Sequence, residues 1–152
     1  METTSITIEN LNDLIQIHND RIAGYERATE NLEGPDTELK YLFTNLIGES
    51  HECKMELATE VQVLGGDVET GTTFSGSIHR AWMNVKDAFG GGDRESVLES
   101  CEFGEDAIQK AYKTALGDET LPAYLREIIS RQQTTLKAAH DKIKALRDAQ
   151  KQ

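Results

Sequence analysis

The sequence predicts an all-α fold: an antiparallel four-helix bundle with a short extra helix in the long crossover between helices 2 and 3. Three observations carry this. Four long segments place apolar residues at alternating steps of three and four, the spacing of one helical face. Glycine and proline clusters punctuate them, at Gly34-Pro35, Gly65-Gly66 and Gly90-Gly91-Gly92. No run shows the two-residue alternation of a strand. At 152 residues the chain forms one domain, 1–152, large enough for a real core.

The first helix is expected over Ile8 to Leu32. Its seam runs Ile8, Leu11, Ile15, His18, Ile22, Tyr25, Thr29 and Leu32. Thr7 is placed to cap it, with Ile6 and Leu11 as a hydrophobic staple. Gly34-Pro35 stops it, and Asp36 starts the second helix, with Glu38 in the first turn where the dipole favours negative charge. So short a connection forces an antiparallel hairpin. The second stripe is apolar at both ends and polar in the middle: Leu39, Phe43, Leu46, then Glu49, Ser50 and Cys53, then Leu57 and Val61.

After Gly65-Gly66 the run DVETGTTFSGS reads as loop, and a shorter helix follows from Ser77, anchored by Trp82. Asp93 is expected to cap the third long helix, whose inward line is Val97, Cys101, Gly104 or Glu105, Ile108, Ala111 or Tyr112, and Ala115. Gly117 closes it. Thr120 is expected to cap the fourth, with Pro122 tolerated in its first turn. Leu125, Ile129, Gln132, Leu136, Ala139 or His140, and Ile143 carry the buried face of that helix. The crossover is long enough to run back along the bundle and set the third helix parallel to the second. An up-down bundle with the crossover helix across one end is the alternative.

The formal net charge of −11 disfavours nucleic acid and anionic membranes as partners. Cys53 and Cys101 form neither a CxxC pair nor a disulfide framework, so a reducing, cytoplasmic setting is expected. The opening residues lack a signal-peptide pattern, and no stretch approaches the ~20 apolar residues of a membrane span.

Aligning the hairpins level by level puts His18, Glu49, Ser50, Cys53, Glu105 and Gln132 on one central rung. Buried polar groups without partners cost a few kcal/mol each, so such a rung needs an explanation. One is a divalent metal, iron, zinc or manganese, held by His18, Glu49, Cys53 and Glu105, whose imidazole, carboxylate and thiolate groups suit such ions. The other is a hydrogen-bonded layer that sets helix register.

The segments LNDLIQIHNDRIAGYERA, ELATEVQVLGGDVETGTTFSGSIHRAWMNVK, CEFGEDAIQKAYKTAL and RQQTTLKAAHDKIKALRD resemble the ferritin-like superfamily. GSIHRAWMNVK points to a bacterial branch of it whose domain has no known function. The di-iron members of the superfamily carry a glutamate on the first and third helices and Glu-x-x-His on the second and fourth. At the matching positions this chain has His18, the pair Ser50 and Cys53, Glu105, and the pair Gln132 and Thr135. Only Glu105 is the family residue.

The resemblance therefore implies the fold and argues against its usual iron chemistry. The leading expectation is a degenerate, non-catalytic ferritin-like protein, stress-related or interaction-based in role, binding one divalent metal or none. A metal-dependent oxidase or ferroxidase with an unusual His/Glu/Cys site is one competitor, and a helical oligomerisation module is the other. A homo-oligomer, a dimer first of all, is the expected assembly.

Overall fold

The computed structural model describes residues 2–31, 36–71 and 94–150. Among these, all regular structure is helical: α1 Glu2–Asn31, α2 Thr37–Val63, α3 Arg94–Leu116 and α4 Ala123–Gln150. The helix expected from Ser77, with Trp82, and the Asp93 cap lie outside the described residues. α1 packs along α2, and α3 along α4. The core between them holds Leu11, Ile15, Tyr25, Phe43, Leu57, Leu98, Ile108, Tyr112, Leu125, Leu136 and Ile143. These fall on the predicted stripes, apart from Leu98 beside Val97.

The ends differ from expectation in two places. α1 begins at Glu2, so Thr7 lies inside the helix rather than capping it. Its buried hydroxyl donates to the Thr3 carbonyl one turn back, at 2.9 Å, which is how a mid-helix threonine satisfies itself. α4 begins at Ala123, later than Thr120. Asp118 accounts for the delay: its Oδ1 accepts from the Thr120 amide at 2.9 Å and the Thr120 hydroxyl at 2.7 Å, closing a turn. The Pro122 carbonyl then accepts the first helical bonds, from Leu125 and Arg126.

Both ends of α2 follow the sequence, and the Gly34-Pro35 stop expected for α1 lies outside the described residues. Asp36 Oδ1 accepts from the Leu39 amide at 3.1 Å and caps α2. At the far end Gly65 takes φ +85°, its amide bonds Gln62 O, and the Gly66 amide bonds Val61 O. This pair of bonds is a Schellman ending.

Contacts between elements decide the topology. Arg94 at the start of α3 pairs with Asp36 and Glu38 at the start of α2, so α2 and α3 run parallel. Asn10 near the start of α1 donates to Asp118 just beyond α3, so these two run antiparallel. Residues 66–71 track along α1: Asn12 holds the Asp67 carbonyl and the Glu69 amide, and Asn19 holds the Gly71 carbonyl. The chain therefore starts back down the bundle after α2. This is the ferritin-like order, not the up-down one.

Candidate functional site

The central polar layer is built on α1. His18, Arg21 and Tyr25 follow at steps of three and four, so all three side chains lie on its inward face. All three are fully buried. In sequence Arg21 does not read as an inward residue, because the neighbouring Ile22 occupies the apolar seam. Its spacing from His18 and Tyr25 is the signal that could have found it.

Arg21 draws the other helices onto itself. Its Nε donates to Glu105 Oε1 at 2.9 Å, and its Nη1 to Glu49 Oε1 at 3.1 Å and Ser50 Oγ at 2.9 Å. Tyr25 donates to the same Glu105 oxygen at 2.6 Å. Burial opposes the guanidinium's charge, but Glu105, then Tyr25 and Glu49, more than offset this and hold it protonated. Burial, reinforced by Glu105, pushes the Tyr25 phenol well up, so it stays a donor. Burial raises Glu49 as well, against the pull of Arg21.

A second tier starts at Ser50. His18 Nδ1 lies 3.0 Å from Ser50 Oγ, and Nε2 lies 2.7 Å from the Tyr112 hydroxyl. Tyr112 donates to Gln132 Oε1 at 2.7 Å. The Gln132 amide nitrogen donates to the Cys53 carbonyl at 3.2 Å and to Glu56 Oε1 at 2.8 Å. Glu56 Oε2 in turn receives Arg131 at the surface.

The ends of this chain force its polarity. The Cys53 carbonyl and the Glu56 carboxylate can only accept, so Gln132 must turn its NH₂ toward them and its oxygen toward Tyr112. Tyr112 then donates to Gln132 and accepts from His18, which fixes the Nε2–H tautomer. His18 Nδ1 is left to accept from Ser50. From the other end, Arg21 can only donate to Ser50, which leaves the Ser50 proton free for His18 Nδ1. His18 is thus neutral, and burial first, then Arg21 and Lys54, brings its pKa down to about 3.

The four predicted metal-ligating residues divide as follows. His18, Glu49 and Glu105 gather around Arg21, Ser50 and Tyr112 rather than around one another. Cys53 enters through its backbone carbonyl, and burial raises its thiol to about 11. Gln132 sits level with Tyr112 instead of Glu105, because the turn from Gly117 to Pro122 delays α4 and slides its register. Cys53 and Cys101 are buried free thiols.

An iron pair does not fit these residues. It needs several anionic ligands around two cations. Here two carboxylates already share a buried, permanently charged guanidinium. Arg21 Nη2 and Glu105 Oε2 are buried without a hydrogen-bond partner among the described residues.

A separate cluster lies farther along α3 and α4. Among the described residues, Glu102, Asp106 and His140 form the one group of three or more potential ligands whose donor atoms all lie within 4.8 Å of one another.

Comparison with known proteins agrees with the architecture. The family described as "Domain of unknown function (DUF2383)" matches residues 6–118. A Dps1 mutant from Mycobacterium smegmatis superposes with a TM-score of 0.80 at 13% identity, over 96% of this chain and 97% of that one. A structure from Bacillus anthracis described as ferritin-like, diiron-carboxylate proteins gives a TM-score of 0.70 at 18% identity, over 96% of each chain. At these identities the likeness is one of fold. No curated protein matches the chain.

Proposed function

Because the chain belongs to the DUF2383 family, whose description carries no activity, we propose a function from the layer itself: a ferritin-like bundle in which Arg21 replaces the iron pair. The central rung then sets helix register and performs no ferroxidase chemistry. The observation that carries this is the fully buried Arg21 guanidinium, ion-paired with Glu105 on α3 and Glu49 on α2. A metal entering here would have to displace a fully buried cation that cannot deprotonate. Buried ionic groups have their best-attested use in specifying register, which suits a rung linking three helices.

The test is ferrous ion added anaerobically to the chelator-treated protein, followed by oxygen. Oxidation no faster than in buffer, and no iron retained in the core, is expected. Two irons per chain with protein-dependent oxygen consumption would overturn the reading and favour the oxidase.

A further part of the proposal is self-association through α2. Tyr41, Met55 and Val63 are large apolar residues that are 72%, 69% and 69% exposed. They share roughly a quarter of the helix circumference, opposite the buried stripe. Gly48 lies between Tyr41 and Met55 with nothing within 4 Å of an added Cβ. A homodimer would cover this strip. Light scattering should give twice the chain mass, and Met55→Glu should shift it toward the monomer. A monomeric wild-type protein at high concentration would dismiss it.

A further inference from the structure

The cluster of Glu102, Asp106 and His140 plays no part in the Arg21 layer. Glu102 and Asp106 are four residues apart on α3, so their carboxylates share one face. His140 comes from α4 opposite. Its Nε2 lies 2.5 Å from Asp106 Oδ1, and its Nδ1 lies 3.1 Å from Asp141 Oδ1. Asp141 is itself held by Lys137 at 2.8 Å.

This order has a chemical meaning. A histidine that binds metal through one nitrogen usually gives its other N–H to a carboxylate, which fixes the tautomer and makes the free nitrogen a better donor. Asp141 supplies that carboxylate, and Lys137 anchors Asp141. Nε2 is thereby aimed at the two α3 carboxylates. Metal–ligand bonds of about 2.0–2.2 Å set tetrahedral donors about 3.3–3.6 Å apart; the three donor atoms here lie within 4.8 Å of one another, and an ion would have to part His140 Nε2 from Asp106 Oδ1, now 2.5 Å away.

Glu102 is 9% exposed, and its carboxylate already holds a cation, the Arg147 guanidinium. Arg147 has a second partner: Asp148 Oδ1 accepts from its Nε at 3.2 Å and from its Nη2 at 2.8 Å. A metal taking Glu102 leaves Arg147 paired rather than stranded.

We propose that Glu102, Asp106 and His140 form a divalent-cation site of zinc type that clamps α3 to α4, with Asp141 orienting the histidine. One nitrogen and two carboxylate oxygens leave a position for water, which suits zinc among the first-row ions. The site is independent of the reading of Arg21, since no residue is shared.

The full-length protein, stripped with chelator and dialysed against zinc alone, should retain one zinc per chain. His140→Gln should weaken binding by at least about tenfold, and Asp141→Asn by about 10–100-fold, the usual effect of removing an orienting carboxylate. His18→Leu should leave binding unchanged. Cobalt substituted for zinc should show no thiolate charge-transfer band, which separates this site from Cys53 and Cys101. In the wild-type protein, long-range proton–nitrogen spectra should show the His140 Nε2 resonance shifting on zinc addition, a readout that needs no variant to fold. No retained zinc, binding that survives His140→Gln, a thiolate band, or an unmoved His140 resonance would each overturn the proposal.

Discussion

At the residue scale, Arg21 converts a layer of hydrophilic side chains into one network. Removing it leaves Glu105 buried with its charge uncompensated. Arg21→Met is therefore expected to cost on the order of 3–5 kcal/mol in urea unfolding. Adding Glu105→Gln should restore part of that loss, because the orphaned charge goes with it. Additive losses in the double variant would mean that the pair is not coupled.

His18 gives a pH signature. Its folded pKa of about 3 lies below the unfolded value of 6.5, so its contribution is complete above about pH 6.5 and is lost as the pH falls toward 3. Between these values the loss is about 1.4 kcal/mol per pH unit. Glu49, with a raised pKa, acts in the opposite direction on acidification. His140, also raised, contributes stability that fades as the pH rises through its folded pKa. Comparing the wild-type protein with His18→Leu between pH 6.5 and 5 cancels both. The variant should show the shallower fall, and equal slopes would refute the neutral, tautomer-locked histidine.

At the scale of elements, the helix interiors follow from periodicity and the ends follow from local chemistry. Asp36 and Gly65 behave as their residue types suggest. Gly65 sits at φ +85° in open space, so Gly65→Ala meets backbone strain alone and should cost about 1–2 kcal/mol. Gly66 differs, since an added Cβ would stand 2.7 Å from Ile8 Cγ2. Gly66→Ala should therefore destabilise through α1, and Ile8→Ala should relieve part of the effect. Thermal melts of the two singles and the double check this. The start of α1 was not legible in the same way. Thr7 has the residue type of a cap, but the helix runs on through exposed residues 3–6 to Glu2, and the Thr7 hydroxyl turns back to the Thr3 carbonyl inside it.

At the scale of the molecule, the acidic excess and the ion pairs respond differently to salt. The net charge of −11 is spread over the surface, where salt screens its self-repulsion. The Arg21–Glu105 pair is fully buried and escapes screening, and the Glu49 partner is only partly exposed. Stability should rise from low ionic strength to about 0.15 M salt, where the Debye length is about 8 Å. The loss caused by Arg21→Met should be nearly the same in both conditions. Parallel unfolding measurements at the two ionic strengths test this, and a salt-sensitive Arg21 effect would place the guanidinium in contact with water.

Heptad-like spacing, helix stops and a polar band in the middle of each stripe were enough to determine four helices, their inward faces and a buried hydrophilic rung, because burial of an amphipathic face is a property of consecutive residues. The same spacing could not say which rung residues meet. That depended on how far each helix slides along its neighbour, and the turn at Asp118 shifted α4 enough to give Gln132 to Tyr112 instead of Glu105. Nor could it choose between ferritin-like and up-down order, which the pairing of Arg94 with Asp36 decided. Arg21 reads in sequence as one more charged residue beside an apolar seam. Only the convergence of α1, α2 and α3 makes it the buried cation of the layer, because its charge is stable there only with Glu49 and Glu105 brought from elsewhere in the chain.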